Sequence, residues 1–422
     1  MVITIDGVTT TADNADSVEH SPLELPGVPT VTVIGDGQLA RMMQTAAIEL
    51  GLSLRVLAGS RTASAAQVSG DVQLGDYTNV DDLLRVTKGS AAVTFDHEHV
   101  PTEHLQALID AGLSVQPGPG ALVNAQDKLV MRRRLAELGA PIPAFAAIDS
   151  VADAEAFFDE VKGAVCLKAR RGGYDGHGVW FPEGKQELTA LVEKLLEAGT
   201  PLMAEAKVAL THELSALVTR RPSGETKAWQ IAESVQKDGI CVEAVAPAPE
   251  LDPQLAARAG QLAMLIADNL GVTGVLAVEL FQFTNADGEQ DIAVNELAMR
   301  PHNTGHWTQD GSVTSQFEQH LRAVLDYPLG TTEATAPVAV MANVLGAPED
   351  PEMPMQERVQ HVLRRFPQAK IHLYGKEHRA GRKIGHVNLR GQDSAQTRHE
   401  AHLAAQFLVQ AQWEDGYAPS VD

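Results

Sequence analysis

Cysteine is scarce in this chain: 422 residues contain only Cys166 and Cys241. Each stands inside an apolar run, Val165-Cys166-Leu167 and Ile240-Cys241-Val242, where a free thiol behaves as a small buried hydrophobe. Two cysteines exclude a disulfide framework and a cysteine-based zinc site. Long apolar runs are missing too, and no stretch approaches the ~20 residues that cross a bilayer. Positive charge is also short. Against 55 Asp and Glu stand 33 Lys and Arg, a formal charge of −22, which argues against non-specific attachment to nucleic acid or acidic membrane. A phosphate-bearing ligand would therefore need cations gathered locally. Residues 1–26 hold five acids, no Lys or Arg and no apolar block. They read as a solvated extension, neither signal nor transit peptide, and the expected compartment is the cytoplasm.

What is present is an ordinary globular composition, 44% hydrophobic and 21% charged, in a chain too long for one typical core. Val31-Thr32-Val33-Ile34 reads as a strand, Gly35-Asp36-Gly37 as a turn, and Leu39 to Leu50 as an apolar-periodic helix. Leu52–Leu57 and Ala91–Phe95 read as further strands, the pattern of a doubly wound α/β unit. From Asn124 a basic helix, Lys128 to Leu138, leads into strand-like runs at 164–169, 201–205, 214–219, 228–235 and 240–246, expected to form a largely antiparallel sheet. A helix from Pro253 to Leu270 precedes the buried run Gly274–Phe281, and a turn at Asn285–Gly288 returns the chain to Ile292–Glu296. The divisions expected are 1–27 (extension), 28–123, 124–330 and a small C-terminal subdomain, 331–422.

Five stretches carry chemistry. Gly35-Asp36-Gly37-Gln38-Leu39 sits at a strand-to-helix turn, where backbone can approach an anion; a dinucleotide site and a plain tight turn both fit it. Lys168-Ala169-Arg170-Arg171 runs into Gly172-Gly173-Tyr174-Asp175-Gly176-His177-Gly178, with four glycines in seven residues. That describes a loop whose N–H groups cradle phosphates; no Gly-Lys-Ser/Thr follows, so it is not a Walker loop. Glu279 interrupts an apolar strand and Glu296 ends the strand paired with it. Buried acids are costly unless paired or metal-bound, and oxygen-only ligands suit Mg²⁺ held together with phosphates. Asn295 to Thr308 packs Arg300, His302, Asn303 and His306 into a run with little apolar periodicity. Finally, Tyr374 to His386 concentrates Lys376, Arg379, Arg382 and Lys383, the strongest positive cluster in an acidic chain.

These motifs together resemble the ATP-grasp superfamily. More narrowly, the stretch from Thr30 to Leu389 is similar to the N5-carboxyaminoimidazole ribonucleotide synthetases, the ATPase subunits of phosphoribosylaminoimidazole carboxylase. Gly-Tyr-Asp-Gly at 173–176 and Asn-x-Gly-His-Trp-Thr at 303–308 carry the narrower likeness. The resemblance implies an ATP-grasp fold, α/β and α+β, with a Rossmann-like pre-ATP-grasp domain in front and a small subdomain behind. It implies a purine-biosynthetic ligase that uses ATP, bicarbonate and aminoimidazole ribonucleotide with Mg²⁺ (or Mn²⁺), binds neither nucleic acid nor membrane, and forms a homodimer.

By the same resemblance, Lys128 and Lys168 contact nucleotide phosphates and the loop Gly173, Tyr174, Asp175, Gly176, His177, Gly178, Val179 closes over them. Glu205, Ala206, Lys207, Val208 and Glu213 meet adenine and ribose; Glu279 and Glu296 hold the metal, with Asn295 beside them. Tyr174, Asp175, Arg300, His302 and Asn303 surround bicarbonate and the aminoimidazole. Gln38, Leu39, Glu98, Lys376, Arg382 and Lys383 take the ribose phosphate side. The chain departs from the family pattern at His177 (usually Lys or Arg), Met299 (commonly Pro), Glu233 (a His elsewhere) and Asp96-His97-Glu98. Rival readings are another ATP-grasp ligase, resembling formate-dependent glycinamide ribonucleotide transformylase or biotin carboxylase, a non-catalytic nucleotide-binding regulator, or a dinucleotide oxidoreductase.

Overall fold

Three sheets organise the chain, and the computed structural model describes residues 27–173 and 177–418. Tyr174, Asp175 and Gly176, and most of the expected N-terminal extension, lie outside the described residues. The first sheet is parallel, in the order β3-β2-β1-β4, from β1 (Thr30–Ile34), β2 (Ser53–Ala58), β3 (Asp71–Leu74) and β4 (Ala92–Phe95). Every residue of β1 is buried, as both faces of a parallel sheet require. The helix Gln38–Glu49 turns Leu39, Met42, Met43 and Ala46 into the core, the spacing of one helical face. Between β1 and this helix, Gly35 has φ +118°, and a Cβ there would stand 1.8 Å from Asp96 Oδ1. Only glycine lets the turn close on β4. Strand β3 is not evident in the sequence, because Asp71-Val72-Gln73-Leu74 is half polar. Its Asp71 instead meets the fully buried Arg55 at 2.8 Å.

The expected mixed region divides into two sheets. The first of them is antiparallel, in the order β5-β8-β6-β7, from β5 (Phe145–Ile148), β6 (Val165–Ala169), β7 (Val179–Trp180) and β8 (Leu202–Ala206). Side chains alternate across a strand. Val165, Leu167, Leu202 and Ala204 pack against the helices Val151–Glu160 and Lys185–Glu197. Cys166, Lys168 and Glu205 consequently point the other way.

The third sheet runs β14-β13-β9-β11-β12-β15-β17-β16, with β10 beside β9. Its strands are β9 (Leu210–Arg220), β10 (Thr226–Ala228), β11 (Ala232–Lys237), β12 (Ile240–Ala246), β13 (Gly274–Thr284), β14 (Gln290–Ala298), β15 (Val338–Leu345), β16 (Lys370–Leu373) and β17 (Lys383–Gly391). The single run expected at 228–235 is broken at Trp229–Ile231, because the buried Trp229 indole N–H bonds Ser312 Oγ and Thr314 O, both at 3.2 Å. The C-terminal segment has its own core around Phe366, Phe407 and Trp413. Its strands nevertheless extend the third sheet, with Glu243–Ala246 paired antiparallel to Ala339–Ala342.

Candidate active site

A cleft of about 1170 Å³ is lined by the second sheet, the third sheet and the loops after β4 and β14. Alternation on β6 brings Lys168 into it, and the start of the helix Lys128–Glu137 brings Lys128. Lys128 Nζ bonds Glu296 Oε1. Lys168 Nζ lies 2.8 Å from Glu205 Oε2 and 3.5 Å from Asn295 Oδ1. Glu279 and Glu296 are direct partners across β13 and β14, beside a bulge at Glu279/Leu280. The hairpin therefore joins the two acids as the sequence suggested. Glu279 Oε1 also receives His302 Nε2 at 3.1 Å. Burial pushes its pKa up, but His302 and Lys128 outweigh that and hold it below the usual value. Glu213, on the neighbouring β9, is raised to about 7 by burial and then by Glu279.

Glu205 is 2% exposed and saturated by cations, with Arg132 Nε at 2.7 Å on its other oxygen. Its carboxylate thus fixes Lys168. Of the backbone donors expected to meet adenine, Ala206 N–H is spent on Ala144 O (2.8 Å) and Lys207 N–H on Ala164 O (2.7 Å). Val208 lines the cleft beside them, and the Lys207 ammonium lies 5.3 Å from the Phe181 ring centroid. At the glycine-rich loop, a Cβ on Gly173 would stand 2.7 Å from His177 O, and Gly178 has φ +76°. His177 is exposed at the loop's edge, while Val179 lines the cleft.

The opposite wall is the run after β14. Arg300 Nε bonds Glu98 Oε2 at 2.8 Å, while Met299 N–H bonds Glu98 Oε1 at 3.1 Å. Glu98, expected to contact substrate, thus engages Arg300 through one oxygen and the Met299 backbone through the other. His302 is oriented by Thr304 Oγ1 on Nδ1 at 2.8 Å. Asn303 and Asn343 exchange amide hydrogen bonds of 3.1 and 2.7 Å. Of the basic cluster, Lys383 lines the cleft. Lys376 donates to Gln38 Oε1 at 2.5 Å, at the start of the helix Gln38–Glu49. Arg382 turns towards Glu377 O at 3.3 Å. The Leu39 side chain is 5% exposed in the N-terminal core, so its backbone N–H, in the first turn of the helix Gln38–Glu49, is the group it has to offer a ligand. Glu233, the other departure in this region, faces Arg398 at 3.5 Å.

Sequence reasoning missed Arg132 and Asn343. Arg132 is fully buried and joins Glu205 to Asn295 O, the latter at 2.6 Å. Its signal was available, since it lies one helical turn beyond Lys128 on the same face. For Asn343, the signal was a lone amide in the apolar run Val338–Leu345.

Three family profiles match in series: the ribonucleotide synthetase preATP-grasp domain over residues 28–126, the ATP-grasp domain over 133–317, and the phosphoribosylaminoimidazole carboxylase C-terminal domain over 339–400. The N5-carboxyaminoimidazole ribonucleotide synthase of Corynebacterium ammoniagenes is 64% identical over 408 residues, covering 96% of this chain and 98% of the relative. The chain belongs to the N5-carboxyaminoimidazole ribonucleotide synthases. It is accordingly an ATP-grasp ligase of purine biosynthesis. An ADP complex of an N5-carboxyaminoimidazole ribonucleotide synthetase superposes with a TM-score of 0.81 at 32% identity, over 93% of this chain and 100% of that one. An Aspergillus clavatus N5-carboxyaminoimidazole synthase, solved with ADP and 5-aminoimidazole ribonucleotide, gives 0.78 at 27% identity, over 90% and 98%. Membership in the synthases also removes the dinucleotide reading of Gly35–Gly37.

Proposed function

We propose that the chain couples ATP cleavage to carboxylation of 5-aminoimidazole ribonucleotide by bicarbonate, giving the N5-carbamate, ADP and phosphate. One observation carries this reading: a single cleft gathers two lysines, two opposed glutamates and the Arg300–His302–Asn303 wall. Lys128 and Lys168, now held by Glu296 and Glu205, are the cations for the nucleotide phosphates. Glu279 and Glu296 offer two carboxylates, with the Asn295 amide beside them. This donor set fits Mg²⁺ better than a softer metal, since hard oxygen ligands can be completed by substrate phosphates. When bound, the ion would neutralise charge on the transferring phosphoryl group.

A bicarbonate oxygen attacks the γ-phosphorus and ADP leaves; the resulting carboxyphosphate loses phosphate to give CO₂; the amine nitrogen attacks that carbon and loses a proton. Arg300, fixed by Glu98, is the cation this reading assigns to the bicarbonate-derived oxygens. His302 and Asn303, each oriented by a neighbouring polar side chain, line the aminoimidazole side; the family resemblance adds Tyr174 and Asp175 to the same role. Gln38, Lys376, Arg382 and Lys383 form the ribose phosphate end. Closure of the glycine-rich loop keeps water from the intermediate. The proposal includes a cytoplasmic homodimer, and sedimentation at working concentration tests the dimer. The reaction is tested by ADP release with bicarbonate and the ribonucleotide added separately and together. Full turnover only with both supports it; formate-dependent turnover would move the chain to the transformylase-like alternative.

A further inference from the structure

The glycine-rich loop and Lys128 belong to different elements, yet they must address the same phosphates. What sets their relative position is a carboxylate. Asp127 caps the helix Lys128–Glu137, its Oδ1 accepting the N–H groups of Leu129 (3.0 Å) and Val130 (3.3 Å). The same side chain receives both arginines that lead into the loop. Arg170 binds it through two nitrogens, Nε to Oδ1 at 3.1 Å and Nη2 to Oδ2 at 2.8 Å, and Arg171 Nε reaches Oδ2 at 3.2 Å. Backbone joins the same elements: Lys128 N–H donates to Arg170 O at 2.9 Å. A Cβ placed on Gly173 would stand 3.9 Å from Lys128 Cε, so Gly173 lies against that side chain.

We propose that Asp127 is a positioning residue for catalysis, locking the root of the glycine-rich loop to the helix start so that Lys128 and Lys168 meet one set of nucleotide phosphates. The inference rests on the ATP-binding reading given above. A mere helix cap would need only the two N–H bonds. Here the carboxylate is 4% exposed and carries a bidentate arginine and a second guanidinium besides. Burial works to raise its pKa, but the bonds from Arg170, Val130 N–H and Arg171 prevail, and the group stays charged. Bidentate guanidinium pairing fixes direction as well as distance. Both arginines are turned back to hold the loop's root.

Asparagine caps a helix about as well as aspartate, so Asp127→Asn separates the two roles. The expected result is a melting temperature near that of the parent, a KM for ATP about tenfold higher, and more than one ADP released per carbamate formed. The excess ADP reports intermediate lost to water when Lys128 and the root of the loop are out of register. A lower melting temperature with parental KM and parental ADP-to-carbamate ratio would overturn the proposal, as would no change at all. Should Asp127→Asn not fold, Arg171→Ala removes one half-exposed member of the lock. A smaller rise in the same two quantities is expected, and parental values overturn the proposal. A parent that releases no ADP with both substrates present refutes the ATP-ligase reading itself, an outcome distinct from these.

Discussion

Glu98 holds Arg300 across the joint between the first sheet and β14, the strand that carries Glu296, Oε2 to Nε at 2.8 Å. A charge-assisted bond of this kind contributes roughly 1.5–3 kcal/mol. Glu98→Gln keeps an acceptor for Met299 N–H but loses the charge that orients Arg300. The expected outcome is a fall of about ten- to a hundredfold in kcat/KM for the ribonucleotide and bicarbonate, with the KM for ATP within about twofold of the parent. Steady-state kinetics varying each substrate in turn measures this. An equal loss for ATP would place Arg300 on the nucleotide.

Glu279→Gln and Glu296→Gln should each reduce turnover by about 10²–10³, the usual cost of removing a key electrostatic group, with the fold intact by circular dichroism. Near-parental turnover at moderate Mg²⁺ would make the pair structural. The two variants should also differ in binding, because Glu296 engages Lys128 and Glu279 engages His302.

The KM for the ribonucleotide should climb as pH passes about 8. Burial, and then the Arg382 charge, bring the Lys376 pKa down to about 8 against the opposing pull of Asp96. Above that value the ammonium loses its proton and with it the attraction for a ribose phosphate. Lys376→Arg, whose guanidinium stays charged, should flatten the rise. Profiles from pH 7 to 9 at saturating ATP check this; a flat parental profile would remove Lys376 from the phosphate site.

Asp96 should make the parent less stable as pH rises. Burial raises its pKa to about 7 against an ordinary value of 3.8, despite the opposing Gly37 N–H bond. The folded form thus binds a proton more tightly than the unfolded chain. That stabilisation is complete below about pH 4 and is lost as pH climbs through about 7. Asp96→Asn lacks the titration, so its melting temperature should change less than the parent's between pH 5 and 8. Parallel curves would show that Asp96 titrates normally.

Much of the fold was legible because its strands are short, β-branched and bounded by glycine: β1, β6 and the β13–β14 hairpin could all be found that way. The Glu279–Glu296 pair stood out for the opposite reason, as acids inside apolar runs. What stayed hidden depends on long-range partners. Asp127 and Arg132 look like surface charges on a basic helix until β6 and β8 deliver Arg170, Arg171 and Glu205 to them. Leu39 shows the reverse case, a residue whose side chain lies in the core although it follows a glycine turn. Lys376 and Arg382 could not be separated by composition. Only the backbone path sends one to Gln38 and the other to Glu377 O.

The pairing of β12 with β15 has a consequence for biogenesis. The third sheet gathers strands from residue 210 to residue 391, and its internal strand β12 gains its second neighbour only when the C-terminal segment arrives. Until then a nascent chain carries an open edge rich in apolar residues, the kind of surface that recruits other chains. Pairings this distant in sequence also form slowly. A ribosome pausing between residues 250 and 338 would therefore hold the molecule at its most aggregation-prone, with the glutamate hairpin still unfinished for the earlier part of that interval.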